Sequence, residues 1–261
     1  MKEVLLISDK GGTGKSSVLN SLKEIYFNEA VFADCSFTSK YNNLPIYLEE
    51  TFNSRYICAI NNSICLFCGD CDTICEFDAL QFNTEEIKLD RHKCTGCGHC
   101  VFICPSGAIE LKKIHSGKII VSKNENKIFI YGILQHFQQD GTRPVYIIRN
   151  KAYEIAIENK RKILVIESSP GWDRHTRSLI LYSNILVPVI EPHAFVFDFL
   201  EKVRNYTDQN GTEVKLIVTK SDANPAITTR IIKEYSSWDI KCIPWKNDLS
   251  IKEENQFVNF L

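Results

Sequence analysis

No stretch of this 261-residue chain is apolar for long enough to cross a bilayer. Met1-Lys2-Glu3 leads straight into the first apolar run, which leaves no room for a signal peptide and sets the expectation of a cytoplasmic protein. Net charge is nearly absent as well. At −1 it supplies no electrostatic footprint for nucleic acid or for an anionic membrane, and neither is expected as a partner. With 44% hydrophobic and 24% charged residues the chain reads as globular, long enough for one large or two modest domains. What stands in excess is cysteine. Eleven thiols in a reducing compartment, where disulfides are rare, ask for metal.

The apolar run Val4-Leu5-Leu6-Ile7 reads as a buried strand, and Val18 to Ile25 reads as a helix. Between them lies Lys10-Gly11-Gly12-Thr13-Gly14-Lys15-Ser16, followed by Ser17. Strand, glycine loop and helix together form the context of a phosphate loop, whose successive N–H groups and helix N-terminus point at one phosphate chain. In such a loop Lys15 reaches the β- and γ-phosphates and the Ser16 hydroxyl can ligate Mg²⁺; the alternative is a glycine turn that binds nothing. A second strand, Val31 to Asp34, ends in a carboxylate at a sheet edge. Asp34 could hold a Mg²⁺-bound water or orient an attacking one, or equally cap a turn. Residues 36–53 read as a polar loop with one short strand.

Cys65, Cys68, Cys71 and Cys75 are spaced C-x2-C-x2-C-x3-C, and Cys94, Cys97, Cys100 and Cys104 repeat that spacing with Pro105 behind them. This is similar to the bacterial two-cluster ferredoxin run, in which each fourth cysteine ligates the other cluster. The resemblance implies one [4Fe-4S] cluster on Cys65, Cys68, Cys71 and Cys104, and a second on Cys94, Cys97, Cys100 and Cys75. Two zinc sites are the lesser alternative. Glu76 stands where a proline usually follows the fourth cysteine. With Asp70, Asp72 and Asp78 it makes that end acidic, which should lower the potential of the nearby cluster. His99 is expected to be exposed. Cys35, Cys58 and Cys242 lie outside both motifs and read as small buried hydrophobes.

Beyond Lys112 the patterning is α/β again. Strands are expected at 118–121, 127–131, 163–166, 185–190, 214–219 and 240–244, with a turn at Asp140-Gly141 and helices at 144–160, 195–206 and 227–235. The strand at 163–166 runs into Glu167-Ser168-Ser169-Pro170-Gly171, a carboxylate beside a loop able to sense a γ-phosphate. The fold expected is a doubly wound, mostly parallel α/β sheet over 1–55 and 112–261, with a small α+β ferredoxin-type domain inserted at 56–111.

Taken together, the loop lysine Lys10, the strand-end Asp34 with its insertion, the Ser-Pro-Gly loop and the stretch EPHAFVFD resemble the MinD/ParA/Mrp class of deviant P-loop ATPases, specifically MinD-like members with an inserted ferredoxin domain. The resemblance implies ATP and Mg²⁺ as ligands and a nucleotide-sandwich homodimer. In it Lys10 would reach the partner's phosphates, and Ser16, Asp34 and Glu167 would hold the metal. The adenine would sit near Thr219, Lys220, Asp222 and Pro244. Glu167 replaces the usual strand-end Asp, and Ser36 stands where many relatives carry another Asp, so binding is better supported than fast hydrolysis. The function implied is a slowly hydrolysing ATP switch coupled to electron transfer, with an unnamed redox partner. A carrier of clusters for a client protein and a redox-sensing MinD-like regulator are the alternatives. The tail 250–261 lacks the basic amphipathic face that a membrane-bound regulator needs.

Overall fold

A computed structural model describes residues 1–37, 44–83, 85–134, 142–245, 257 and 259–261. The turn expected at Asp140-Gly141 and most of the tail 250–261 lie outside the described residues. The chain divides into two compact units, Met1–Glu49 with Ile119–Ile133 and Pro144–Leu261, and Glu50–Lys118 with Leu134–Arg143.

In chain order the elements are β1 (Lys2–Ile7), α1 (Lys15–Ile25), β2 (Ala30–Asp34), β3 (Ile46–Phe52), β4 (Arg55–Ile60), α2 (Asp70–Thr73), β5 (Leu80–Phe82), β6 (Ile87–Leu89), α3 (His99–Ile103), β7 (Ile109–Ile114), β8 (Gly117–Asn124), β9 (Lys127–Leu134), α4 (Arg143–Glu158), β10 (Ile163–Glu167), α5 (Arg174–Ile180), β11 (Ile185–Ile190), α6 (Val196–Asn210), β12 (Glu213–Thr219), α7 (Pro225–Glu234) and β13 (Asp239–Ile243). The expected helices and strands are present with shifted ends. Helix α5 had no counterpart in the sequence reading. It is one short segment, started by the Asp173 carboxylate accepting the Thr176 N–H at 2.8 Å.

The larger unit is built on a nine-stranded sheet in the order β13-β12-β11-β1-β10-β2-β9-β8-β3. From β13 to β9 neighbouring strands pair in parallel. Strands β8 and β9 are joined by only Glu125 and Asn126, a connection too short for anything but an antiparallel hairpin. Val4 and Leu6 pack with Val18, Leu19 and Leu22 of α1 in one core. The pleat sends Leu5 and Ile7 to the opposite face, and they too are wholly buried, so helices and loops cover both faces as a doubly wound sheet requires. Burying those three α1 side chains contributes on the order of 5 kcal/mol. The Tyr26 hydroxyl, at the end of α1, donates to the Phe257 carbonyl at 2.9 Å and accepts the Phe260 N–H at 2.8 Å.

Because these strands run parallel, five of them end on one edge of the sheet: β1 at Ile7, β2 at Asp34, β10 at Glu167, β11 at Ile190 and β12 at Thr219. Strand β1 lies between β10 and β11, where the order of chain connection reverses, and ligands of open α/β sheets bind outside the carboxyl ends at such a point.

The smaller unit pairs β4 with β7 and β5 with β6, both antiparallel. Each cysteine motif enters its short helix through a left-handed glycine, Gly69 before α2 and Gly98 before α3. Two copies of one local structure therefore follow from two copies of one spacing.

Candidate functional site

Gly14 caps α1 in a left-handed conformation, φ 91°, and Gly12 adopts φ 82°. The loop 11–17 lines an open cleft of about 300 Å³ together with Ser36, Glu167, Ser168 and Pro170. A Cβ at Gly11 or Gly12 would meet nothing within 4 Å, so the backbone faces open space that an anion can enter. The Thr13 hydroxyl is buried with no hydrogen-bond partner among the described residues. Such a loop fits a phosphate chain.

The structure brings Lys15, Ser16, Glu167 and Ser36 to this cleft and sets Asp34 at the strand position level with Glu167. Lys15 is buried, its ammonium donating to Ser8 Oγ at 2.5 Å, and Ser8 Oγ in turn donates to the Lys10 carbonyl at 2.8 Å. Ser16 Oγ donates to Glu167 Oε1 at 2.7 Å. These are hard oxygen donors of the kind Mg²⁺ takes. One oxygen of Asp34 accepts the Ser36 N–H at 2.6 Å, so its turn-capping role is realised.

Lys10 points elsewhere. Its ammonium lies 3.0 Å from Glu191 Oε2, and Lys220 bonds the other oxygen of the same carboxylate. Burial pushes the Glu191 carboxyl up, but the hydrogen bonds from Lys220 and Lys10 outweigh it and hold the group below its ordinary value. Beside them the His193 ring meets Asp9 at 2.6 Å. The Thr219 hydroxyl lies within donating distance of two main-chain carbonyls that share its one proton, Thr13 at 2.8 Å and Ile190 at 3.0 Å, and its methyl stands beside Gly14. Asp222 is exposed and accepts the Trp245 N–H at 2.5 Å; the Lys220 ammonium lies over the Trp245 ring at 4.4 Å, next to Pro244. Glu191 and the tether on Thr219 escaped the sequence reading because both depend on loops that are distant along the chain.

In the smaller unit one cavity gathers Cys75 from the first motif with Cys94, Cys97 and Cys100 from the second. Cys71 is buried in the same small core, against which Cys65 and Cys104 pack, while Cys68 and Cys97 are exposed. Main-chain N–H groups are aimed at three of the sulfurs: Phe67 at Cys65 (3.4 Å), Ala79 at Cys75 (3.3 Å) and Ala108 at Cys104 (3.2 Å). Sulfurs held by amide donors fit iron-bound thiolates. Among the described residues no three His, Cys, Asp or Glu side chains form a group that could hold a single metal ion. His99 is exposed, as expected.

The three spare cysteines differ. Cys35 is buried, but Cys242 is exposed, which corrects the expectation of a buried residue: β13 is the edge strand of the sheet. Cys58 is buried in the cavity wall itself, in the same small core as Cys94 and Cys100. Its signal in the sequence was its offset. Cys58 precedes Cys65 by the same interval that Ile87 precedes Cys94. Arg55 donates to the carbonyls of Arg91 and Cys94.

This is a MinD-like P-loop fold joined to a ferredoxin-type iron-sulfur segment. The 4Fe-4S binding domain family matches residues 87–110. Two solved structures share the fold: the cell division ATPase MinD of Pyrococcus furiosus, 13% identical, covering 98% of this chain and 87% of that one with a TM-score of 0.51, and the septum site-determining protein MinD of Pyrococcus horikoshii complexed with Mg-ADP, 14% identical, covering 97% and 84% with a TM-score of 0.50. An uncharacterized protein of Methanocaldococcus jannaschii, MJ0578, is 29% identical over 196 residues, 73% of this chain and 67% of that protein. Other relatives are matched over only part of their length: the chain spans 52% of the formate dehydrogenase iron-sulfur subunit of Wolinella succinogenes and 9% of the Escherichia coli protein UacF. Among the described residues no helix is long and apolar enough to cross a membrane.

Proposed function

We propose that the chain is a Mg²⁺-dependent ATP switch whose nucleotide state governs electron transfer through two [4Fe-4S] clusters, carried by a domain at 56–111 inserted into an ATPase domain at 1–55 and 112–261. The observation that carries the nucleotide half is the Ser16–Glu167 hydrogen bond at 2.7 Å, at the mouth of the glycine loop and level with Asp34. The N–H groups of 11–16 hold the phosphates, Lys15 turns from Ser8 to the β- and γ-phosphates, and Ser16, Asp34 and Glu167 hold Mg²⁺. Lys220, Asp222 and Pro244 border the base, while Thr219 fixes the loop to the sheet. Lys10 exchanges Glu191 for the phosphates of a second copy in a nucleotide-dependent homodimer. Glu167 is one methylene longer than an Asp. That displaces a held water by about an ångström, enough to slow turnover.

The clusters supply one-electron redox chemistry when bound, on Cys65, Cys68, Cys71 and Cys104 and on Cys94, Cys97, Cys100 and Cys75. Ser36, which lines the phosphate cleft, directly follows β2, and β3 and then the cysteine-rich segment come after it in sequence, so nucleotide contacts at 34–36 act on the covalent connection between the two activities. The exposed thiols Cys68 and Cys97 favour a second reading, an ATP-controlled carrier that hands clusters to a client.

The test is ATP turnover by anaerobically purified protein with its clusters oxidised and then reduced, beside a Lys15→Ala control. Turnover that disappears in the control and changes with redox state supports coupling. Binding without hydrolysis in either state removes the coupled switch and leaves the carrier.

A further inference from the structure

The smaller unit holds nine thiols, one more than two clusters need. The ninth, Cys58, sits on β4 opposite Leu111 of β7, 2% exposed, in the wall of the cavity that Cys75, Cys94, Cys97 and Cys100 also line. Its side chain shares that wall, and the same small core, with Cys94 and Cys100. The internal repeat supplies a comparison within the same molecule. Ile87 of β6 stands in the second copy where Cys58 stands in the first, and it is 6% exposed in the same small core. One half of the repeat has a thiol donor at this position and the other has a hydrocarbon.

We propose that Cys58 is a positioning residue for the second cluster, not a ligand: its S–H donates to one ligand sulfur, that of Cys94 or Cys100, and sets that cluster at a higher potential than the first. A hydrogen bond to a ligand sulfur draws off negative charge. It therefore favours the reduced state, which carries one more electron, over the oxidised one. Two further features act in the same direction. The Arg55 guanidinium is anchored on the Cys94 carbonyl, while Asp70 and Asp72 stand exposed on either side of Cys71, a ligand of the first cluster. An electron placed on the first cluster then passes to the second, the first being oxidised by one electron and the second reduced by one. The inserted unit conducts in a set direction.

This inference rests on the two-cluster reading above, and the experiment separates the two. Full-length protein, reconstituted anaerobically, is assayed for iron and acid-labile sulfide and titrated electrochemically with EPR detection. About eight irons per chain and two resolved reduction steps support two clusters; about four irons end the two-cluster reading and this proposal with it. Cys58→Ala should keep the iron and move one step to more negative potential while the other stays. Cys58→Ser, which retains a donor, should restore part of the shift. Ile87→Cys should move the other step upward. With about eight irons in place, steps that stay put in all three variants, or that move together, overturn the proposal. Loss of half the iron in Cys58→Ala overturns it differently, by making Cys58 a ligand. If Cys58→Ala does not fold, Cys58→Ser and Ile87→Cys decide by the same criteria.

Discussion

Replacing Thr219 by Val keeps the shape of the side chain and deletes only the hydroxyl, so it isolates what that hydroxyl does. The group lies in the interior, 7% exposed, and ties the Thr13 carbonyl of the glycine loop (2.8 Å) to the Ile190 carbonyl at the end of β11 (3.0 Å). Removing the donor leaves buried carbonyls short of a partner, at a cost of about 1–3 kcal/mol. For a chain of this size that corresponds to a fall in melting temperature of about 2–5 °C. The methyl beside Gly14 is kept, so no cavity adds to the cost. With its tether gone the loop is less preorganised. ATP and GTP should then both bind more weakly by one common factor, about three- to tenfold. The assays are a thermal melt without nucleotide and paired titrations with the two nucleotides. An unchanged melt together with an altered ATP-to-GTP ratio would refute the tether and make Thr219 a reader of the base.

Glu191→Gln tests the clamp on Lys10 and Lys220. The wild-type carboxyl is held below its ordinary value of 4.5, so its contribution to stability is complete above that pH and is lost as pH falls through the lowered value. Urea unfolding over a pH series should show the variant less stable at neutrality, the gap closing in acid; a gap independent of pH counts against the ion pairs. Gly96→Ala should empty the proposed second cluster site. Gly96 has φ 69°, and an added Cβ would meet the Tyr56 carbonyl oxygen at 2.3 Å, whereas Gly107, at φ 65°, has open space around it. The left-handed strain alone costs about 1–2 kcal/mol at either glycine. Iron content should therefore fall by about half in Gly96→Ala and hold in Gly107→Ala, and equal iron in both would show that the close approach to Tyr56 is immaterial.

Features written into consecutive residues were legible without coordinates. A buried strand followed by three glycines, a lysine and a serine forms the same loop wherever the chain goes next, because strand, left-handed turns and helix cap are local backbone choices. The two C-x2-C-x2-C-x3-C runs bring their glycine-led short helices for the same reason, and unbroken apolar runs such as Ile163 to Ile166 can be satisfied only in the interior of a parallel sheet. Helix α5 was missed because its seven residues offer no full period, only a cap.

Partnerships across the chain were decided by the tertiary structure alone. Asp34 and Glu167 each read as a strand-end carboxylate; that they stand level on adjacent strands follows from the order β10-β2, which no local pattern encodes. Lys10 read as a residue reaching for phosphate, and its contact with Glu191 depends on where β11 ends. In the sequence Cys58 reads as a small hydrophobe, and on β4 it is buried beside Ile57 with nothing local to mark it as a thiol donor. Only the pairing of β4 with β7 carries its sulfur to Cys94 and Cys100, because side-chain chemistry is set by neighbours in space while periodicity reports only the direction in which a side chain points.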